Sequence, residues 1–150
     1  MRILFVCTGN TCRSPLAEAI ARRLVADSGR DNIIVESAGT QAWDGSPASD
    51  EALLIGVERN LDLSGHRSRH LTPEITATSD LILVMSSSHL AQVRDVDPSA
   101  NVHLLAGYGS TDSSRRSIAD PFGGNLSDYR DTADELEEEL AAILERIRGA

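Results

Sequence analysis

Val6-Cys7-Thr8-Gly9-Asn10-Thr11-Cys12-Arg13-Ser14-Pro15 is the stretch from which the rest of the chain can be read. The apolar run Ile3 to Val6 leads into it, and a helical pattern opening at Pro15 leads out. A cysteine therefore stands where a buried strand ends, and an arginine stands six positions later where a helix begins. Gly9 and Asn10 tolerate left-handed backbone angles. A loop of this kind turns several N–H groups inward and, with a helix N-terminus, makes a concave anion site. Arg13 at its rim adds two parallel hydrogen bonds to phosphate oxygens. Thr8, Gly9, Asn10, Thr11, Cys12, Arg13 and Ser14 are thus the expected phosphate cradle, with Cys7 at its base as a thiolate nucleophile.

A length of 150 residues fits one domain, residues 1–150, with a sizeable core. Fourteen basic against twenty-three acidic residues leave a net charge of −9, which disfavours nucleic acid or an anionic membrane as a general partner. The anion site must then be local, built from backbone dipoles and Arg13. The N-terminal apolar stretch is too short for a signal peptide and nothing approaches a membrane span, so a cytoplasmic protein is expected. With only Cys7 and Cys12, a disulfide scaffold is excluded and neither a metal nor another cofactor is expected. A monomer is expected.

In chain order, Arg2–Cys7 reads as a strand and Pro15–Ser28 as a helix, with Leu16, Ala19, Ile20 and Leu24 on one face and Ser14 as its N-cap. Ile33–Ser37 is a second strand and Ser49–Asn60 a helix built on Ala52, Leu53, Ile55 and Val57. Asp80–Met85 is a third strand, too apolar for a half-exposed one. Ser86 caps a short helix to about Arg94, and Asn101–Leu105 is a fourth strand. Ala106 to Leu126 shows little periodicity and holds Asp120-Pro121-Phe122-Gly123-Gly124; loops of this length are usually functional or disordered. Ser127–Arg148 is the last helix, with Tyr129, Ala133, Leu136, Leu140, Ile143, Leu144 and Ile147 inward, the Glu135-to-Glu139 cluster on a solvated face, and Gly149 after the final turn. Strands alternating with helices predict a single three-layer, flavodoxin-like α/β domain. It has a four-stranded parallel sheet with helices on both faces, and ligands bind outside the strands' carboxyl ends.

Cys-Thr-Gly-Asn-Thr-Cys-Arg-Ser-Pro after a first strand resembles the low-molecular-weight protein phosphatases, and the likeness covers essentially the whole chain. It implies a phosphocysteine intermediate on Cys7, with the loop amides and Arg13 stabilising the transferring phosphoryl group. Alone, Asp120 before Pro121 is an ordinary turn aspartate; the resemblance makes it the general acid. Ser14 then donates to the thiolate, an alternative to its capping role. Asn10, Ser14, Ser37 and His66 become supports for the strained loop, although His66 in isolation invites assignment as a base. Cys12 is either a small core residue or, by resemblance, a resolving thiol for oxidised Cys7. Trp43, in the loop after the second strand, is either a packing residue or an aromatic pocket wall. His70, His89 and His103 carry no motif.

The expected partners are phosphorylated proteins. Thr11 and the Asp-Pro-Phe-Gly-Gly run look like the protein arginine phosphatase branch, which makes Thr11, Trp43 and Phe122 candidates for substrate selectivity. The alternative is a protein-tyrosine phosphatase of the same family. An arsenate reductase is disfavoured because Met85 to Ala91 holds no cysteine, and a noncatalytic phosphate-binding module because Cys7, Arg13 and Asp120 are all present.

Overall fold

Ile3 to Val6 are almost wholly buried in the computed structural model, which describes residues 1–110 and 117–148. They belong to β1 (Arg2–Cys7), which lies between β2 (Ile34–Gly39) and β3 (Leu81–Val84); β4 (Val102–Leu104) pairs beyond β3. All three pairings are parallel, and the order is β2-β1-β3-β4. Side chains alternate across the pleat. Ile3, Phe5, Cys7, Leu81 and Leu83 share one core with α1 (Arg13–Asp27), α2 (Asp50–Glu58) and α5 (Leu126–Arg148). Leu4, Val6, Ile82, Val84 and Val102 share the other with α3 (Pro73–Thr78) and α4 (Ser87–Val96). Each of these large apolar side chains contributes about 1.5–3 kcal/mol through burial. The expected three-layer α/β domain with a four-stranded parallel sheet is what forms.

The chain steps from β1 to β2 on one side and then crosses to β3 on the other. This reversal of direction beside the carboxyl end of β1 is where open α/β sheets bind ligands. Ile118 N donates to Met85 O at 2.8 Å, which ties the segment carrying Asp120 to the same carboxyl edge through β3.

Element limits fall within two residues of the expected ones, but several assignments change. α1 opens at Arg13 with Cys12 as N-cap and no side-chain cap, so Ser14 lies inside the first turn and is not the N-cap. α3 is an addition. Thr72 caps it by accepting from Ile75 N, Pro73 starts it, and its six residues are too few to show an apolar period. Val57, expected inward, is 75% exposed. Gly56 is buried instead, since a β-carbon there would lie 2.7 Å from Leu61 O. Glu139, expected on a solvated face, is buried and accepts a hydrogen bond from Gly107 N at 2.9 Å. Residues 111–116 of the long loop, and Gly149, lie outside the described residues. No helix among the described residues is long and apolar enough to cross a membrane.

Candidate active site

The loop between β1 and α1 uses its carbonyls to anchor itself. Cys7 O accepts from Thr40 N at 2.9 Å, Thr8 O from Gln41 N at 2.9 Å and Thr11 O from Ser49 N at 2.9 Å. Asn10 O accepts from the His66 ring N–H, Nε2, at 2.7 Å. The loop amides from Thr8 to Cys12 donate to no protein acceptor among the described residues, which leaves them for an anion. Gly39 makes the close packing behind this loop possible, because a β-carbon there would fall 2.5 Å from Thr8 O and 2.9 Å from Asn10 N.

Asn10, at φ 57°, holds the turn in the left-handed region and is fully buried. Its side-chain partners settle the direction of every proton around it. Arg69 N can only donate, and it reaches Asn10 Oδ1 at 3.0 Å, so Nδ2 faces Ser14 Oγ at 2.7 Å and Ser37 Oγ at 2.9 Å. Ser37 sends its own proton to Glu18 Oε1 at 2.7 Å. Ser14 Oγ, already accepting from Asn10, has Cys7 Sγ at 2.9 Å to receive its proton. The chain of donors therefore ends on the sulfur. Glu18 and Arg69 were missed from the sequence, which carries no local signal for pairs so distant along the chain. The isolated bridge from Gly39 to His70 is what brings Arg69 alongside.

Arg13 is buried. Its Nη1 donates to Ile118 O at 3.0 Å, and its Nη2 lies 3.4 Å from Asp120 Oδ2. Asp120 is half exposed, and its Oδ1 accepts from Phe122 N at 3.1 Å across Pro121. Cys7, Thr8, Gly9, Cys12, Arg13, Asp120 and Phe122 line a cavity of about 190 Å³. Of the three expected selectivity residues, only Phe122 lines it. Trp43 stands outside, 84% exposed, with its carbonyl accepting from the Ser68 hydroxyl. Thr11 Oγ1 lies 3.8 Å from Cys12 Sγ and 3.6 Å from where a β-carbon on Gly9 would stand.

Cys12 is buried, with its Sγ 3.3 Å from Tyr129 Oη and 3.6 Å from Ser49 Oγ. Burial, then the contact with Cys12, pushes the Tyr129 hydroxyl's pKa up and keeps it protonated. Tyr129 reads in the sequence only as a core residue. Among the described residues, no group of His, Cys, Asp and Glu is arranged to hold a metal ion.

His89, which carries no motif, is buried against the loop, its Nε2 2.8 Å from Thr8 Oγ1 and its Nδ1 2.9 Å from Ser86 Oγ. Its pKa is lowered from 6.5 to about 4, first by burial and then by Arg13, against the opposing pull of Asp120. The folded protein thus binds fewer protons than the unfolded chain between those values. Stability from this group is complete above about pH 6.5 and falls as pH drops toward 4, by up to about 1.4 kcal/mol per pH unit. Urea melts at pH 7.5 and pH 5 should show less acid destabilisation in His89→Gln than in the wild type. An identical pH slope in both proteins would contradict the buried neutral imidazole.

A buried cysteine at a strand's carboxyl end, an amide cradle, a buried arginine and an aspartate opposite together define a cysteine-dependent phosphatase on an α/β sheet. The chain belongs to the family described as low molecular weight phosphotyrosine protein phosphatase, whose model matches residues 2–150. It is 36% identical to a protein-arginine-phosphatase of Bacillus subtilis, over 99% of this chain and 97% of that one. It is 33% identical to the low molecular weight phosphotyrosine protein phosphatase of Sus scrofa, over 97% and 95% of the two chains. Among solved structures it resembles the YwlE arginine phosphatase in a mutant form with a phosphorylated active site serine. That match has 35% identity and a TM-score of 0.93, over 99% of this chain and 96% of that one.

Proposed function

We propose that this protein, acting as one domain over residues 1–150, removes phosphoryl groups from phosphorylated arginine side chains of proteins. Cys7 Sγ attacks phosphorus in line; the S–P bond forms as the P–N bond breaks. The loop amides and Arg13 bind the equatorial oxygens, where phosphoryl transfer draws most of its stabilisation. Asp120 gives its proton to the departing nitrogen. It then takes one from the water that displaces the Cys7 thiolate and releases phosphate. Asn10, Ser14, Ser37 and His66 keep the cradle in shape, and Cys12 acts as a resolving thiol for oxidised Cys7. A thiolate nucleophile works in a reducing compartment, which supports the cytoplasm as its place of action. A monomer is the working unit proposed.

The observation that carries the substrate choice is the cavity wall. Among the described residues, Phe122 is the one aromatic lining it, 75% exposed, while Trp43 stands outside. The described residues thus offer a phenyl ring one flat apolar face and no closed aromatic slot. Thr8, Arg13 and Asp120 bring the polar side chains that a planar guanidinium can meet. The full-length resemblance to protein-arginine-phosphatases supports the same choice.

The test is kcat/KM on matched phosphoarginine and phosphotyrosine peptides, with wild type and Thr11→Ile side by side. Wild type should prefer phosphoarginine. Isoleucine at position 11 adds bulk beside Gly9 and should lower that preference about tenfold, the order of one over-packed contact. A wild-type preference for phosphotyrosine would overturn the proposal.

A further inference from the structure

We infer that Thr8, held from behind by the buried His89, is the side chain that distinguishes a phosphorylated guanidinium from a phosphorylated phenol in this cavity. The inference rests on the phosphoarginine proposal and names the contact that would carry it.

Among the described residues lining the cavity, Thr8 alone carries a hydroxyl. Arg13 brings only donors, Cys7 and Cys12 bring sulfur, and Phe122 an apolar face. Among the described residues, the lining side chains able to accept an N–H are therefore Asp120 and Thr8. Asp120 is already engaged by Arg13 and by Phe122 N. A phosphorylated guanidinium carries N–H groups on several nitrogens, so a second acceptor on the loop side is what its recognition needs.

The pairing behind Thr8 decides how its hydroxyl is turned. His89 is 3% exposed and cannot turn to solvent. Its Nδ1 reaches Ser86 Oγ at 2.9 Å, and Ser86 Oγ reaches Ser88 Oγ at 2.9 Å. Assigning the ring proton to Nδ1 and its donation to Ser86 makes Nε2, 2.8 Å from Thr8 Oγ1, the acceptor for the Thr8 proton. The lone pairs of Thr8 Oγ1 then face the cavity, where a guanidinium N–H can donate to them. A phenyl ester brings no donor to that position and strips water from the hydroxyl without replacing it. With its pKa lowered to about 4, the buried imidazole stays neutral, and free to pair with Thr8, throughout the physiological pH range. Asp120 and Arg13 are the charged groups whose fields reach the imidazole, and they act in opposite senses.

The experiment measures kcat and KM on matched phosphoarginine and phosphotyrosine peptides for the full chain. The variants are Thr8→Val, His89→Leu, His89→Gln and the Thr8→Val/His89→Leu double. Thr8→Val should lower the phosphoarginine-to-phosphotyrosine ratio of kcat/KM about tenfold, chiefly through a raised KM for phosphoarginine. His89→Leu should lower the ratio similarly, and the double variant no further than either single, because both changes remove one device. His89→Gln, which keeps a polar atom at that reach, should restore most of the ratio lost in His89→Leu. Equal losses on both substrates, or additive effects in the double variant, would show that the pair only shapes the loop and would overturn the inference. If wild type prefers phosphoarginine and Thr8→Val keeps that preference, the Thr8 assignment alone falls. If wild type prefers phosphotyrosine, the substrate proposal fails first and this inference with it.

Discussion

Cys7→Ser is expected to lower turnover of every phosphorylated substrate about 10⁴-fold or more, the scale on which enzymes lose activity when a nucleophile is removed. The substitution exchanges one atom at a position that is 3% exposed, so folding and phosphate affinity should survive it. What it removes is the sulfur nucleophile. A serine hydroxyl is intrinsically a far weaker nucleophile than a cysteine, and Ser14 at 2.9 Å, fed by the Asn10 amide, offers it a hydrogen bond but no base. The measurement is steady-state hydrolysis together with phosphate binding to the same preparation. Full activity in the serine variant would refute the phosphocysteine mechanism, and loss of both activity and fold would be visible in the binding arm.

Asp120→Asn is expected to lower kcat/KM by about 10²–10³ on phosphoarginine peptides, within the range general-acid groups supply. The departing nitrogen is a poor leaving group without a proton, and an amide cannot deliver one. Aryl phosphates with acidic phenols should lose much less, and that contrast is the decisive reading. Equal losses on good and poor leaving groups would remove Asp120 from the proton-transfer step. Stability should barely change. The contact with Arg13 at 3.4 Å is half exposed and worth about 1 kcal/mol or less, and Arg13 remains held by Ile118 O.

The parts of this site that are legible in the sequence are those whose cause is local. Cys7 ends an apolar run and Arg13 opens a helical one, so both their spacing and their place on a strand–loop–helix unit can be read directly. Asp120 was legible only in company, since an aspartate before proline looks the same in any turn. The loop's supports, Asn10, Ser14, Ser37 and His66, came from resemblance to a family. The structure joins them with distances of 2.7–2.9 Å.

Periodicity and motif spacing determined the parallel sheet, the helices on both its faces and the position of the cysteine loop at its carboxyl edge. Each of these follows from how neighbouring residues share a face. Tertiary structure alone decided the strand order, the turning of Ser14 from a helix cap to the cysteine sulfur, and the burial of Glu139 and exposure of Val57. It also decided the partnership of His89 with Thr8 across eighty-one positions and of Tyr129 with Cys12 across one hundred and seventeen. A buried polar group must find a partner, but the partner is chosen by which elements the sheet brings side by side, and no local pattern records that choice. For the same reason the family resemblance points to Thr11 as a selectivity residue, whereas in the folded loop it is Thr8 that lines the cavity.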